Sequence, residues 1–177
     1  MPEPPDPSAL NIDRIIEVFG RHGVDYLLVG GVASRLYGAE RLTFDVDVLA
    51  RHEIDNLDRV ADALTELGAF LRVSGLDDEE ARALPVILDG AALTALEIST
   101  WRTDAGDIDV LAHLHDAVGR RVSFADLAGR AREISVGGVE VRVAGLSDII
   151  ESKRFADREK DRAAIPELER LREADES

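Results

Sequence analysis

Two aspartates one residue apart, Asp45 and Asp47 in the stretch TFDVDVLA, are the residues of this chain best suited to chemistry. On an extended strand, side chains at i and i+2 leave the backbone on one face, so both carboxylates point together. Like charges held that close repel unless a cation sits between them. Mg²⁺ takes oxygen ligands and keeps positions for water and phosphate. Two such ions can clamp the attacking and leaving oxygens of an in-line phosphoryl displacement. Upstream, Gly30-Gly31 ends the apolar run VDYLLV. Two glycines at a strand-to-helix junction let backbone approach a ligand closely, and the free N–H groups there favour an anion such as a triphosphate. A third carboxylate is expected to complete the clamp. Asp109, between Ile108 and Val110, is preferred; Asp107 shares its face, but it follows Gly106 at a turn, and the choice between them stays open.

A second constellation lies late in the chain, in SKRFADREKDR, the densest basic segment of an acidic protein. Read as one helix, its spacing puts Lys153 with Lys160, and Arg154 with Arg158 and Asp161, on shared faces. A cation aimed at the paired acids would hold a triphosphate and stabilise charge on leaving pyrophosphate. Asp161 would orient one of these cations or serve as a base. Arg41 and Thr43 stand just ahead of the acids. Thr43 precedes Asp45 by two, so a strand would aim its hydroxyl at the same face, and a phosphate placed there would block the site by repulsion.

These residues need elements to position them. Asn11 caps a helix over IDRIIEVFGRHG, with Ile12, Ile15, Ile16 and Phe19 on one face and Gly20 and Gly23 ending it. Val24–Val29 is a buried strand, and a short helix follows to Tyr37 and Gly38. Thr43–Ala50 alternates as a strand with one polar face. Ile54–Leu67 is an amphipathic helix, and 69–73 a further strand. Asp77 caps a short acidic helix before Pro85. Leu93–Trp101 and Asp107–Leu114 are expected as strands joined through Thr103–Gly106, with a helix over Phe124–Ala131. Gly137-Gly138 turns a hairpin between 133–136 and 139–143. Ser147 caps the basic helix, and Pro166 begins a terminal one. Trp101 is expected in the core or at a pocket edge. His113 and His115 are expected to face solvent, since no third ligand stands near at zinc-like spacing. The mixture gives an α/β (α+β) class: a small mixed sheet flanked by helices, with a C-terminal helical segment.

The bulk numbers exclude several alternatives. The chain has 177 residues and no cysteine, so disulfides, thiolate zinc sites and cysteine nucleophiles are excluded. No apolar run reaches the roughly 20 residues that span a bilayer, so no membrane partner is expected and the cytoplasm is the default. Four of the six prolines fall in residues 1–9, read as a disordered leader to one domain over 10–177. A net charge of −15 lowers the expectation of nonspecific nucleic-acid binding, because phosphate repels it at long range.

Taken together, Gly30-Gly31, the thirteen residues to Asp45-x-Asp47, and a later acid at Asp109 resemble the signature of the polymerase-beta-type nucleotidyltransferase superfamily. Arg41 and Thr43 ahead of the acids, and Lys153, Arg154 and the Arg158-x-Lys160-Asp161 element, are similar to its small bacterial branch related to abortive-infection and toxin–antitoxin nucleotidyltransferases. The resemblance implies the nucleotidyltransferase fold over roughly residues 24–171. It implies transfer of a nucleoside monophosphate from an NTP to an acceptor hydroxyl, with Mg²⁺ held by Asp45, Asp47 and Asp109. Gly30, Gly31, Arg41, Thr43, Lys153 and Arg158 would bind the nucleotide, and Lys153 and Asp161 would join the catalytic set. The branch points to a toxin acting on tRNA 3′ ends, with a cognate antitoxin as partner. Small enzymes of this fold also modify antibiotics or proteins, and the net acidity suits a cationic acceptor of aminoglycoside type. A non-catalytic nucleotide-binding or antitoxin-like module is the remaining alternative.

Overall fold

The computed structural model describes residues 9–177, so the leader expected at 1–9 falls, apart from Ala9, outside the described residues. In chain order the elements are α1 (Ile12–Arg21), β1 (Tyr26–Val29), α2 (Gly30–Leu36), β2 (Asp45–Ala50), α3 (Ile54–Glu66), β3 (Phe70–Leu71), α4 (Asp78–Arg82) and α5 (Gly90–Thr94). They continue with β4 (Ile98–Thr103), β5 (Gly106–Leu111), β6 (Leu114–His115), β7 (Arg121–Val122), α6 (Phe124–Ala128), β8 (Arg132–Val136), β9 (Val139–Val143), α7 (Leu146–Ala156) and α8 (Glu159–Asp175).

Seven strands form one mixed sheet in the order β3-β4-β5-β2-β1-β9-β8, and β6 and β7 make a separate two-stranded ribbon. β2 lies near the middle, antiparallel to β1 and parallel to β5. Val46 and Val48 of β2 and Ile108 of β5 are fully buried, while Asp45, Asp47, Asp107 and Asp109 alternate with them on the other face. Each buried Val, Leu or Ile contributes about 1.5–3 kcal/mol, so this alternation decides which face the acids occupy. Helix α1 begins where expected, with Asn11 Oδ1 accepting the Arg14 N–H at 3.0 Å. It buries Ile15, Ile16 and Phe19 and packs against α3. Trp101 is 2% exposed in the core, its indole N–H donating to Ser99 Oγ at 2.8 Å.

Several boundaries differ from the sequence reading. The strand expected from Thr43 starts at Asp45, leaving Thr43 in the preceding loop. The strand expected over Leu93–Trp101 is divided: Asp89 caps α5 through the Ala92 N–H at 2.7 Å, and β4 begins only at Ile98. A short apolar run fits a buried helical turn as well as a strand, and the cap decides it. β5 stops at Leu111, and the helix expected to Ala131 ends at Ala128. Gly145, not Ser147, precedes the first turn of α7. The basic segment is not one helix. It breaks at Asp157, whose φ of 47° is left-handed, and restarts as α8, which continues through Pro166 rather than starting there. Proline inside a helix forfeits one backbone hydrogen bond; buried Ala164 and Leu168 on either side hold this one in place.

Candidate functional site

The register of three strands builds the site. Val29 of β1 pairs with Asp47 of β2, and Asp47 pairs with Asp109 of β5. Gly30, the first residue beyond β1, therefore lies directly over the Asp47 side chain. Its φ is 64°, and a Cβ placed there would stand 2.1 Å from Asp47 Oδ2. Only glycine fits both the left-handed backbone and that contact. The Gly31 N–H donates to the Asp47 carboxylate, and a Cβ at Gly31 would stand 2.6 Å from Thr43 Oγ1. The glycine pair is thus packed against the acids and their loop.

Asp45, Asp47 and Asp109 line one cleft with Gly30, Gly31 and Thr43. Burial pushes the Asp47 carboxyl up to about 7, helped by repulsion from Asp45 and Asp109. Asp109 is raised too, first by burial and then by Asp45, against a stabilising hydrogen bond from Thr100. Asp109 Oδ1 is buried with no hydrogen-bond partner. A buried carboxylate oxygen left without a partner costs on the order of 1–3 kcal/mol or more, and an ion or ligand is an ordinary remedy. Asp107 has a different environment. Arg72 reaches its Oδ2 at 2.7 Å and Arg102 its Oδ1 at 2.9 Å, so its charge is compensated within the protein and it does not line the cleft. Of the two candidates, Asp109 is the one left open to a cation.

Lys153, Arg158 and Lys160 face these carboxylates across the cleft. The expected shared helix face of Lys153 and Lys160 does not exist, because they stand on α7 and α8; the break at Asp157 brings them to one cavity instead. Asp161 explains the break. It is 1% exposed and takes the Arg158 guanidinium at 2.6 Å and the Lys153 ammonium at 3.5 Å. Burial alone would raise its carboxyl, but these two cations hold it below the usual range. That environment fits a group that orients cations rather than a base. Arg154 leaves the site for Glu151 and Glu169.

Arg41 lines the cleft from an exposed loop. Thr43 does not lie on the strand face; its hydroxyl donates at 3.2 Å to Asp45 Oδ1 or to the Asp45 carbonyl. Ser34, Leu42, Glu167 and Leu168 also line the cleft, none of them a candidate from sequence, and Lys160 of the basic run lines it with them. Only Lys160 carried a signal, its place in the basic run. His113 and His115 are half-buried, their rings edge-to-face at 4.9 Å, and His115 stacks on Phe155. The solvent-facing expectation for this pair is corrected by that packing.

Among the described residues, no three His, Cys, Asp or Glu side chains form a ready-made metal cage. Mg²⁺ rarely uses one; one or two carboxylates, waters and substrate phosphates are its usual shell. An all-oxygen donor set with an unpartnered Asp109 Oδ1 and a charge-strained Asp47 fits that habit, so these acids could hold the ion.

The sheet order, with helices on it and a C-terminal helix over the acids, is a nucleotidyltransferase fold. The chain resembles the lincosamide antibiotic adenylyltransferase LnuA, solved with lincomycin bound, with a TM-score of 0.61 at 15% identity, over 92% of this chain and 99% of that one. It also resembles ANT(2″)-Ia in complex with adenylyl-2″-tobramycin, with a TM-score of 0.55 at 16% identity, over 92% and 93%. No protein-family model and no curated protein sequence matches the chain. No described helix is long and apolar enough to cross a membrane.

Proposed function

We propose that the protein is a Mg²⁺-dependent nucleotidyltransferase that moves a nucleoside monophosphate from an NTP to an acceptor hydroxyl and releases pyrophosphate. One observation carries this reading: Asp47 and Asp109 pair side by side, half-buried, with Asp109 Oδ1 unpartnered among the described residues, and Lys153 and Arg158 line the same cleft. Bound Mg²⁺ supplies charge neutralisation at the phosphates and lowers the cost of developing charge. Asp45, Asp47 and Asp109 hold it. The Gly30-Gly31 backbone, packed against Asp47 and Thr43, lines the cleft that takes the phosphates, and Lys153, Arg158 and Arg41 take the pyrophosphate charge. Asp161 keeps Lys153 and Arg158 in place. The acceptor oxygen bonds to the α-phosphorus, its proton passes to the Asp109 carboxylate oxygen not engaged with the ion, and the bond to pyrophosphate breaks.

For the acceptor, the toxin-like branch that the sequence resembles supports a tRNA 3′ end and an antitoxin partner. A different acceptor class has its own support. The chain carries a net charge of −15. That field steers a cationic acceptor inward and a polyanionic one away, which suits a small polyamine-like antibiotic or a basic protein segment. Incubation with α-labelled NTPs and Mg²⁺, offering total tRNA, an aminoglycoside and lincosamide panel, or bacterial protein extract, separates these acceptors. Absence of any labelled product and of pyrophosphate release, with NTP bound, would leave a binding module.

A further inference from the structure

The floor formed by Gly30, Asp47, Lys153, Arg158 and Asp161 opens in two directions. One arm runs over α2 and beneath α8, where Arg41 and Lys160 join the cations of the floor and Asp45, Asp109 and Glu167 its carboxylates. The other runs along α7 toward β6 and is walled by Val29, Leu111, Leu114, Ile149, Ser152 and Ala156. Beyond the shared floor this second arm has no charged side chain. Ile149, Ser152 and Ala156 lie on the α7 face that also carries Lys153, at spacings of three, four and seven. Ser152 is the one side chain in the arm able to hydrogen-bond. Its hydroxyl makes no hydrogen bond among the described residues, although Ser34 and Thr65 both bond back to carbonyls of their own helices.

A nucleoside triphosphate has the same polarity: polyanionic at one end, flat and largely apolar with a polar edge at the other. With the α-phosphate over Asp47, the two remaining phosphates fit the charged arm, where the metal-holding acids, Arg41 and Lys160 lie, and the nucleoside must leave by the uncharged one. We propose that the apolar arm beside α7 is the nucleobase subsite and that Ser152 is the residue that reads the base edge. This rests on the nucleotidyltransferase reading above. A hydroxyl both donates and accepts, so one Ser serves amino and keto edges alike. Sites that reject an analogue by 10⁴–10⁵ do so with fixed, otherwise unpaired groups; this arm has one rotatable group. The four common bases should therefore differ by no more than about tenfold.

The test uses equilibrium binding of α,β-methylene NTP analogues and, as a probe lacking any nucleoside, inorganic tripolyphosphate, both with Mg²⁺. Ala156 is exposed at the end of α7, so Ala156→Phe fills the arm without touching the floor. It should weaken the ATP analogue about tenfold or more and leave tripolyphosphate affinity unchanged, with circular dichroism showing an intact fold. Ser152→Ala should weaken all four analogues to a similar degree while tripolyphosphate again binds as before. Equal weakening of both probes by Ala156→Phe, no weakening of either, or undiminished binding of all four nucleotide analogues by Ser152→Ala would overturn the subsite. In those cases nucleotide transfer by the wild-type protein would leave the parent reading standing. A wild-type protein that binds neither probe and transfers nothing would remove both.

Discussion

Gly30→Ala is the substitution most sharply constrained by the geometry. Two costs add. The backbone at Gly30 is left-handed, φ 64°, where a residue with a Cβ loses about 1–2 kcal/mol. The new Cβ would also lie 2.1 Å from Asp47 Oδ2, when a carbon and an oxygen need a little over 3 Å. The carboxylate must retreat by about 1 Å, and a displacement of that size at a reacting centre costs roughly 10²-fold in rate. The backbone term appears as stability and the displacement as turnover. Gly30→Ala should therefore lower unfolding free energy by about 1–3 kcal/mol in urea titrations, and reduce kcat at least 100-fold at a temperature where the protein is folded. Gly31→Ala is the internal control. Its φ is not left-handed, and its Cβ would meet Thr43 Oγ1 at 2.6 Å, a side chain on a loop that can yield. Its rate loss should stay within about tenfold. Pyrophosphate release measured under saturating NTP decides the matter. Full turnover in Gly30→Ala, or a larger loss in Gly31→Ala, would refute the claim that Asp47 is held in place for chemistry by the absence of a side chain above it.

In metal-free buffer, Asp47→Asn should stabilise the protein at pH 8. The folded carboxyl sits near 7 against a usual 3.8, so the folded state holds its proton more tightly and wild-type stability falls as pH rises between those values. At about 1.4 kcal/mol per pKa unit the ceiling is on the order of 4 kcal/mol. The advantage of Asn should vanish near pH 4, and equal unfolding midpoints in EDTA at pH 8 would contradict it. Asp161→Asn runs the other way: a carboxyl held low by Arg158 and Lys153 stabilises at neutral pH and loses that contribution as pH falls. The variant should lose about 3–5 kcal/mol at pH 7 and less at pH 3, with a higher KM for NTP; a neutral effect on both would exclude the clamp. Thr43→Val removes the hydroxyl that bonds Asp45 and should cost about tenfold in kcat at unchanged stability. Thr43→Glu, a mimic of a phosphorylated threonine, should abolish transfer without unfolding, as read by circular dichroism; an active Thr43→Glu protein would rule out that switch.

Local periodicity made half of the site legible. The i, i+2 acids and the glycine pair after an apolar run are short-range patterns, and the strand and helix they imply are present. The sequence favoured Asp109 over Asp107 but left the choice open, because what separates them is Arg72, which follows β3 in sequence and reaches Asp107 only once β3, β4 and β5 pair. The break at Asp157 was likewise hidden. Nothing in SKRFADREKDR marks a left-handed residue, although aspartate tolerates that conformation better than most. What selects it is Asp161, which is buried only if the chain turns there and gives it two cations. The Thr43–Ala50 and Leu93–Trp101 boundaries failed for a simpler reason: a turn cap and a loop hydrogen bond displaced runs whose hydrophobicity suited either state.

The pairing of β2 with β5 shows why the acids could be found without the fold. The two strands are parallel and separated by more than fifty residues, so no turn sets their register. The apolar residues do. Val46 and Val48 on one strand and Ile108 on the other are all fully buried, and a slip of one residue would turn Ile108 toward the cleft and an aspartate into the core. Burying a lone carboxylate costs several kcal/mol, more than the margin by which a domain of this size is folded can spare. Core packing therefore enforces the juxtaposition of Asp47 with Asp109, at the expense of repulsion between them that only a bound cation or a proton relieves. The site is a by-product of a register the hydrophobic residues choose, which is why alternation in TFDVDV and GDIDVL was enough to locate it.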